Sequence, residues 1–250
     1  MTWNPIWQQA EDSFLRHFCT IEQFKWGSRY FWESGKDWAK FNFIRISQPD
    51  HLPKNLENFV TQNEAWFNAR NRTLNIKVPL GVANISIFNQ EFCKAGIPIV
   101  SLELSKNDAV KIQSDYELIQ CQNSRALEIW WNINSAGRSR ADPLESPLWP
   151  VLLKALRAGT EFFYLCKDGI PSTCVAVDEF NGYLNFWGLA TIPTMQKRCL
   201  SKAIIQEIFA LKKIRVFCQV DKDGITDVYF RSLPGTTVLM EETRYVPKKT

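Results

Sequence analysis

The clearest hydrophobic pattern in the chain is a strand followed by a helix. Residues 183–190 are mostly apolar and indicate a buried strand, which Pro193 ends because proline has no N–H for a neighbouring strand. A polar, basic loop over residues 194–198 follows, and apolar residues then recur at helical spacing over residues 200–211. Backbone N–H groups at the start of such a helix bind anions such as phosphate.

The same patterning divides the rest of the second half of the chain into strands and helices. Apolar runs predict strands at residues 118–122, 161–166, 170–177, 212–220 and 236–245, and helices at residues 126–133, 149–158 and 226–232. Turns are predicted at residues 167–169 and at residues 178–182, which end in Asn-Gly. Residues 135–143 are the most linker-like stretch of the chain.

The first half of the chain also alternates helices and strands. Helical spacing predicts helices at residues 7–21, 56–69 and 84–94, and strand patterns lie at residues 41–46, 74–78 and 97–104. This order predicts an α/β or α+β half-domain.

Composition and charge narrow the class of protein. The 250 residues are 45% hydrophobic and 22% charged, which is enough apolar content for a folded core and too little charge for a disordered chain. A net charge of +4 suits an anionic ligand but falls short of a dedicated nucleic-acid binder. No apolar run approaches the roughly 18 residues of a membrane span, so no membrane partner is expected.

The cysteines and histidines argue against disulfides and metal. Seven scattered cysteines without a Cys-x-x-Cys pair predict reduced thiols in the cytoplasm. The two histidines, His17 and His51, lie in the first half, so the sequence does not favour a histidine-based triad or a metal site.

Residues 24–32 interleave aromatic and basic side chains, a pattern that can stack nucleobases. The alternative, which the small number of basic residues favours, is a segment that packs into the core.

The segment from Leu189 to Ala203 resembles the acyl-CoA loop of the GNAT (GCN5-related N-acetyltransferase) superfamily. The family pattern V-A-T-x-P-x-x-[RQ]-x-x-G-x-[GA]-x-A matches without a gap, with Gln196 at the [RQ] position. Cys199 replaces the first glycine and Ser201 occupies the second small position. The cysteine side chain therefore stands where a glycine lets backbone approach a pyrophosphate.

The resemblance implies an α/β fold, a mixed sheet flanked by helices, with two GNAT-like halves in tandem. Residues 1–115 would form a degenerate N-terminal half, and residues 116–250 the acyl-CoA-binding domain. The N-terminal half shares the family's layout, including a loose counterpart of its Trp-Phe-x-x-Arg-x-Arg segment at residues 66–72.

By the same resemblance, the strand end and the loop would hold acetyl-CoA or another acyl-CoA. The strand edge would be Leu189, Ala190 and Thr191. The loop would be Gln196, Lys197, Arg198, Cys199, Leu200, Ser201 and Lys202. The cations at this helix start oppose the helix dipole, which favours an anion bound nearby over an ordinary solvated helix end.

The family also places a tyrosine in the helix after the next strand, where it protonates the departing thiolate. Tyr229 or Phe230 aligns with it, depending on a one-residue shift, and we take Tyr229 as the catalytic acid; Asp223 stands at the family's asparagine. The alternative is that both rings only pack. No carboxylate lies in the central strand, and Glu207 lies well inside the helix that follows it. The general base therefore stays open among Glu161, Asp178 and Glu179, of which the last two are expected in a solvated turn.

The resemblance implies an acyl-CoA-dependent N-acyltransferase that acetylates a primary amine of a small molecule or peptide, as a monomer or homodimer. The alternative is a catalytically inactive GNAT-fold protein that binds CoA, a small ligand or a protein partner.

Overall fold

The computed structural model describes residues 5–33, 38, 40–79, 92–94, 98–104, 116–138, 146–212, 215–223, 228, 230–232 and 235–247. Five helices of nine or more residues occur in this part of the chain: α1 (Pro5–Leu15), α2 (Leu56–Asn68), α3 (Ser124–Gly137), α4 (Trp149–Arg157) and α5 (Leu200–Lys212). Two of them begin at asparagine caps. Asn55 and Asn123 accept hydrogen bonds from the N–H groups of Asn58 and Ala126, at 2.9 and 3.0 Å. Since such a cap satisfies a backbone donor that the helix leaves free, these asparagines fix where α2 and α3 start.

The described strands form one sheet. They are β1 (Thr20–Phe24), β2 (Gly27–Phe31), β3 (Phe43–Ile46), β4 (Ile76–Pro79), β5 (Phe92–Lys94), β6 (Ile99–Leu104), β7 (Tyr116–Gln120), β8 (Glu161–Lys167), β9 (Ile170–Phe180), β10 (Tyr183–Thr191), β11 (Arg215–Asp221) and β12 (Thr237–Pro247). Their order is β1-β2-β3-β4-β12-β6-β11-β10-β9-β8-β7, and β5 pairs with β12. The sheet therefore runs without interruption from the first half of the chain to the second.

A strand–helix–strand unit with parallel strands occurs twice in this sheet. In the first half, β3 leads through α2 to β4, and Ile44 pairs with Ile76 in parallel register. In the second half, β10 leads through α5 to β11, and Tyr183 pairs with Arg215 in parallel register. The repetition gives the two halves the same local plan.

The two halves exchange strands at the centre of the sheet. β6 belongs to the first half but lies between β11 and β12, and β12 belongs to the second half but lies between β4 and β6. The central pair β6–β12 is antiparallel. On each side of it lies a pair of parallel strands, β4 and β3 next to β12 and β11 and β10 next to β6. The division after residue 115 stays a prediction, and strands from both sides of it share one set of ladders.

Helices cover both faces of the second half of the sheet. On one face α1 packs beside α3 and α4, where Phe14, Trp130 and Leu152 share an apolar cluster with Phe162 of β8. On the other face α5 packs against β8, β9 and β10 through a second cluster that includes Ile204. The first helix of the chain thus lies over strands of the second half.

Four predictions about elements are wrong in part. The predicted helix at residues 7–21 ends at Leu15. The predicted helix at residues 84–94 ends instead in β5, which pairs with β12, and residues 84–91 lie outside the described residues. The predicted linker at residues 135–143 begins inside α3, which continues to Gly137, while residues 139–145 are outside the described part. The predicted turn at residues 178–182 starts too early, because β9 continues to Phe180. In the two strand cases, pairing with another strand decides the conformation, not the local pattern.

Candidate functional site

The parallel strands β10 and β11 part in the middle of the sheet. Their ladder runs from Tyr183↔Arg215 to Phe186↔Cys218 and ends there. Beyond that point β11 pairs with β6, whereas β10 pairs only with β9 among the described strands. The edge of β10 that faces β11 therefore offers backbone groups of residues 187–191 to an extended ligand, in the manner of an added strand.

A β-bulge interrupts β10 at the place where the strands part. The register with β9 shifts between Trp187↔Ala176 and Ala190↔Cys174, so Gly188 and Leu189 stand opposite the single residue Val175. Gly188 has a φ of 66°, in the left-handed region that glycine adopts without strain. A Cβ on Gly188 would lie 2.9 Å from two ring carbons of Trp130, so the position also needs glycine for space.

Helix α3 supplies hydrogen bonds at the bulge. The indole N–H of Trp130 donates to the Val175 carbonyl at 2.9 Å, and the side-chain amide of Asn134 donates to the Gly188 carbonyl. A bulge takes carbonyls out of the regular ladder, and a buried carbonyl without a partner is costly. Two side chains four residues apart on one helix thus hold the bulge in place. This role was not predicted from the sequence; its signal was the pair of polar donors at i and i+4 on an otherwise apolar helix face.

The loop between β10 and α5 has two non-glycine residues in the left-handed region. Lys197 has a φ of 63° and Cys199 a φ of 58°. The Cys199 carbonyl accepts the first helical hydrogen bond, from the Ala203 N–H at 3.0 Å, so α5 begins at Leu200. Cys199, which aligns with a family glycine, therefore keeps a glycine-like backbone, with its side chain exposed.

A row of hydroxyl groups joins the end of β10 to the start of α5. Ser201 Oγ lies 3.0 Å from Thr191 Oγ1, which lies 2.9 Å from Thr173 Oγ1. The Thr173 hydroxyl in turn donates to the Ala190 carbonyl at 2.7 Å. Gln196 Nε2 donates to the Thr191 carbonyl at 3.2 Å, which ties the loop to the strand it follows.

The helix start is basic. Lys197 and Arg198 are exposed and Lys202 is half-buried, while the first turn of α5 contains no acidic residue. Leu200 is buried at 2% exposure, so only its backbone faces the loop. Free N–H groups and three cations at one helix end are a donor set suited to a polyphosphate.

The structure brings most of the predicted binding residues together, at the end of β10 and the start of α5. Asp223 lies apart from that loop in sequence, on an exposed turn two residues beyond β11, with a φ of 58°. Tyr229, the predicted catalytic acid, lies outside the described residues.

Two of the three candidate bases are exposed or held in an ion pair, and Glu207 of α5 is exposed as well. Glu179 and Glu207 are exposed. Glu161, at the start of β8, pairs with Lys212 at 2.5 Å and accepts a hydrogen bond from Gln120 at 2.9 Å.

The third candidate, Asp178, is buried, and its prediction as a solvated turn residue is wrong. It lies within β9 at 3% exposure, and its Oδ1 accepts from the Thr160 hydroxyl at 2.6 Å. His17 Nε2 lies 3.1 Å from the same oxygen, and the Trp187 indole donates to Oδ2 at 2.7 Å. The fold thus brings a histidine of the first half beside a carboxylate of the second, a contact that no motif in the chain predicts.

A second buried polar cluster lies under α1 at the centre of the sheet. Glu11 forms ion pairs with Arg45 of β3 and with Lys77 of β4, the latter at 2.7 Å, and Arg45 also pairs with Glu242 of β12 at 3.0 Å. Burial lowers the pKa of Lys77 to about 7, even beside its partner carboxylate, and raises the pKa of nearby Asp12 to about 6. The cluster joins α1 to strands of both halves.

The aromatic side chains of residues 24–32 mostly face the core. Tyr30, Phe31 and Trp32 are 0%, 8% and 2% exposed. They do not form an open surface on which nucleobases could stack.

Solved structures match the chain over most of its length, whereas no protein-family model and no curated protein matches it. A GCN5-related N-acetyltransferase from Kribbella flavida has a TM-score of 0.67 at 14% identity, covering 97% of this chain and 95% of its own. A functionally unknown conserved protein from Staphylococcus epidermidis has a TM-score of 0.66 at 11% identity, covering 92% and 93%. A tandem GNAT protein from the clavulanic acid biosynthesis pathway has a TM-score of 0.53 at 11% identity, covering 81% and 74%. At these identities the likeness concerns the fold, and it confirms the predicted GNAT-like architecture.

The described residues contain neither a cluster of potential metal ligands nor a helix that could span a membrane. No three His, Cys, Asp or Glu side chains in that part of the chain are grouped as metal ligands would be. None of the helices there has the length and apolar character needed to cross a bilayer.

Proposed function

We propose that this chain, which has the fold of the GCN5-related N-acetyltransferases, is an acyl-CoA-dependent N-acyltransferase. The observation that carries the proposal is the parting of β10 from β11 at a bulge, with a basic helix start at the same end of β10. The acyl donor is most simply acetyl-CoA, and the acceptor is a primary amine of a small molecule or peptide.

The chain's residues suit this donor in two ways. The free edge of β10 at Leu189, Ala190 and Thr191 would pair with the amide-containing arm of CoA. The N–H groups from Gln196 to Lys202, with the three nearby cations, would hold the pyrophosphate. Acyl-CoA would supply an acyl carbonyl activated as a thioester.

The comparisons support the proposal at the level of the fold. Two of the similar structures, from Kribbella flavida and Sphaerobacter thermophilus, are described as GCN5-related N-acetyltransferases. The tandem GNAT protein was solved without AcCoA. Roles for Tyr229 as the acid and for Asp223 beside CoA remain part of the proposal and rest on the sequence resemblance.

A second candidate function is binding without turnover. It is favoured by Cys199, whose exposed side chain stands at the family's glycine position in the loop. The first measurement must therefore separate CoA binding from acyl transfer.

The proposal is tested by calorimetric titration with acetyl-CoA and with free CoA. We expect micromolar binding that Ser201→Tyr weakens at least tenfold, because the new ring would fill the space in front of the helix start. Ala210→Tyr, at an exposed position of the same helix, is the matched control and should bind as the parent does. Thermal melting of each variant checks the fold.

Absence of binding at millimolar CoA would overturn the proposal. Binding of both compounds without acyl transfer in a screen of primary amines would favour the non-catalytic alternative.

A further inference from the structure

We propose that the side chain of Gln196 gates the strand edge of this site. Its amide holds the carbonyl of Thr191, and the amide-containing arm of an acyl-CoA must displace that amide in order to pair with Thr191. This role rests on the proposed acyltransferase function, because it concerns the donor that the function requires. It is carried by the direction of the Thr191 backbone, by the hydrogen bond from Gln196 and by the matching turn in the first half of the chain.

The backbone of Thr191 faces the open edge of β10. Thr191 lies opposite Thr173 of β9, and the next residue, Ile192, donates its N–H to the Ser172 carbonyl at 3.0 Å. In an antiparallel ladder the backbone groups of successive residues point to opposite edges of the strand. Since Ile192 faces β9, the N–H and C=O of Thr191 face the gap between β10 and β11.

The Thr191 carbonyl accepts a hydrogen bond from a side chain of its own loop. Gln196 Nε2 lies 3.2 Å from the Thr191 oxygen. That oxygen can only accept, so the nitrogen of the side-chain amide, and not its oxygen, faces it. An added strand would offer a backbone N–H to the same carbonyl. Gln196 therefore takes the place of a donor from the ligand.

Helix α3 restricts the same carbonyl from a second side. Gly137 lies at the C-terminal end of α3, and a Cβ on it would be 2.8 Å from the Thr191 oxygen. The backbone of the helix thus lies against the carbonyl that Gln196 holds. Of these two neighbours, only the exposed side chain of Gln196 can move without moving a helix. A ligand N–H reaches the Thr191 oxygen when that side chain swings away.

A short 3-10 turn, Pro193–Met195, brings Gln196 back to the strand. The Ile192 carbonyl accepts from the Met195 N–H at 2.9 Å, and the Pro193 carbonyl accepts from the Gln196 N–H at 3.3 Å. Met195 is buried and anchors the turn. The backbone of the loop is therefore fixed at Gln196, while its side chain stays at the surface.

The first half of the chain contains the same turn. Pro49–His51 is a 3-10 turn between β3 and α2, and the Leu52 N–H donates to the Pro49 carbonyl at 3.1 Å, as Gln196 donates to Pro193. The two loops align without a gap from their prolines to the first residues of α2 and α5, each of which has 13 residues.

In this internal alignment Leu52 occupies the position of Gln196. Leucine has no side-chain donor. The turn therefore forms without a side-chain amide at this position, and the hydrogen bond to Thr191 is not needed to shape the loop. The same comparison supplies a substitution, Gln196→Leu, that the turn accommodates.

Binding of three probes separates a gate from a phosphate contact. Pantetheine carries the amide-containing arm without phosphates, ADP carries a pyrophosphate without the arm, and CoA carries both. Because one hydrogen bond between neutral groups makes a modest net contribution, we expect Gln196→Leu to bind pantetheine and CoA about two- to tenfold more tightly than the parent. Its affinity for ADP should be that of the parent. Calorimetric titration measures all three.

Thr194→Leu is the matched control, because Thr194 is exposed in the same turn and the new leucine adds the same apolar surface. It should bind the three probes as the parent does. Gln196→Ala removes the amide a second way, and thermal melting checks the fold of each variant. Weaker binding of ADP and CoA by both Gln196 variants would show that the amide holds phosphate and would overturn the gate. Unchanged affinity for pantetheine would overturn it as well.

The displacement is observed directly by NMR of the Gln196 side-chain amide, whose signals are those lost in Gln196→Leu. We expect the shifts of a hydrogen-bonded amide in the parent, and the shifts of a free side chain once pantetheine or CoA is bound. An amide that keeps its hydrogen-bonded shifts at saturating CoA would contradict the gate.

The outcomes separate the two proposals. If neither the parent nor Gln196→Leu binds CoA or pantetheine at millimolar concentration, both fall. If the parent binds CoA and the Gln196 variants bind the arm no more tightly, the gate falls and the acyltransferase function stands.

Discussion

Cys199 is the residue at which the loop departs most clearly from the family pattern. Its φ of 58° costs a non-glycine residue about 1–2 kcal/mol, and its side chain stands at the start of α5. Strain in a loop persists when the surrounding structure holds it, here through the Thr191–Ser201 contact and the buried Leu200.

We therefore predict that Cys199→Gly strengthens CoA binding, by roughly three- to tenfold. A glycine in place of Cys199 has no Cβ, so the backbone of the loop can approach the pyrophosphate more closely. Cys199→Ala is the matched control, since it removes the sulfur but keeps the Cβ and the strain, and it should bind as the parent does. Calorimetric titration with CoA measures both. Equal gains for alanine and glycine would show that the thiol, not the backbone, limits binding.

For single residues, the sequence predicts features that depend on neighbouring positions and not those that depend on distant contacts. The loop residues Gln196 to Lys202 could be predicted because their order along the chain carries the pattern, and their role in binding stays a prediction. Asp178 was predicted to lie in a solvated turn because residues 178–182 end in Asn-Gly. Its burial depends on His17, Thr160 and Trp187, and the His17 contact joins residues 161 positions apart. No local pattern encodes such a contact.

At the scale of elements, β10 depends on α3 for its shape. The bulge at Gly188 turns the strand away from β11, and Trp130 and Asn134 satisfy the carbonyls that it frees. The helix and the strand thus form one unit, although the hydrogen bond from Asn134 to Gly188 joins residues 54 positions apart.

The glycine at the bulge is predicted to be essential for this shape. Gly188→Ala should lower the free energy of unfolding by about 2–4 kcal/mol, because a left-handed alanine is strained and its Cβ would overlap the Trp130 ring. Gly169→Ala is the matched control: Gly169 has a φ of 73°, but a Cβ there meets nothing within 4 Å. It should cost only the strain of about 1–2 kcal/mol. Urea unfolding of both variants measures the difference, and equal losses would contradict the role given to Trp130.

Elements with local signals were predicted well and those with distant partners were not. The hairpin of β8 and β9 and the step from β10 into α5 follow from alternation, turn residues and helical spacing within one segment. β5 escaped prediction because its strand conformation depends on β12, at the other end of the chain. The bulge could not be predicted because no residue pattern within β10 indicates the hydrogen bonds that α3 donates to it.

For the whole molecule, the exchange of β6 and β12 makes the halves interdependent. Without residues 1–115, β11 and β12 would both lose β6 as a neighbour, and β12 would also lose β4. The loss of α1 would uncover Phe217 and Met240, which pack against Trp7 and Ala10.

A fragment of residues 116–250 is therefore expected not to fold alone, despite carrying the whole predicted acyl-CoA loop. It should show no cooperative thermal transition, and co-expression with a separate fragment of residues 1–115 should restore one. Circular dichroism melting of the fragment, the reconstituted pair and the full chain measures this. A cooperative melt of the isolated fragment would show that the second half is self-sufficient.

The central position of β12 has a consequence for synthesis on the ribosome. β4 and β6 emerge long before β12, the last strand of the described chain, and each lacks a neighbour until it arrives. Unpaired strand edges pair readily with other chains, and sheets built from distant segments form slowly. The central sheet must therefore close late, once β12 has left the ribosome, and until then the nascent chain depends on protection from aggregation.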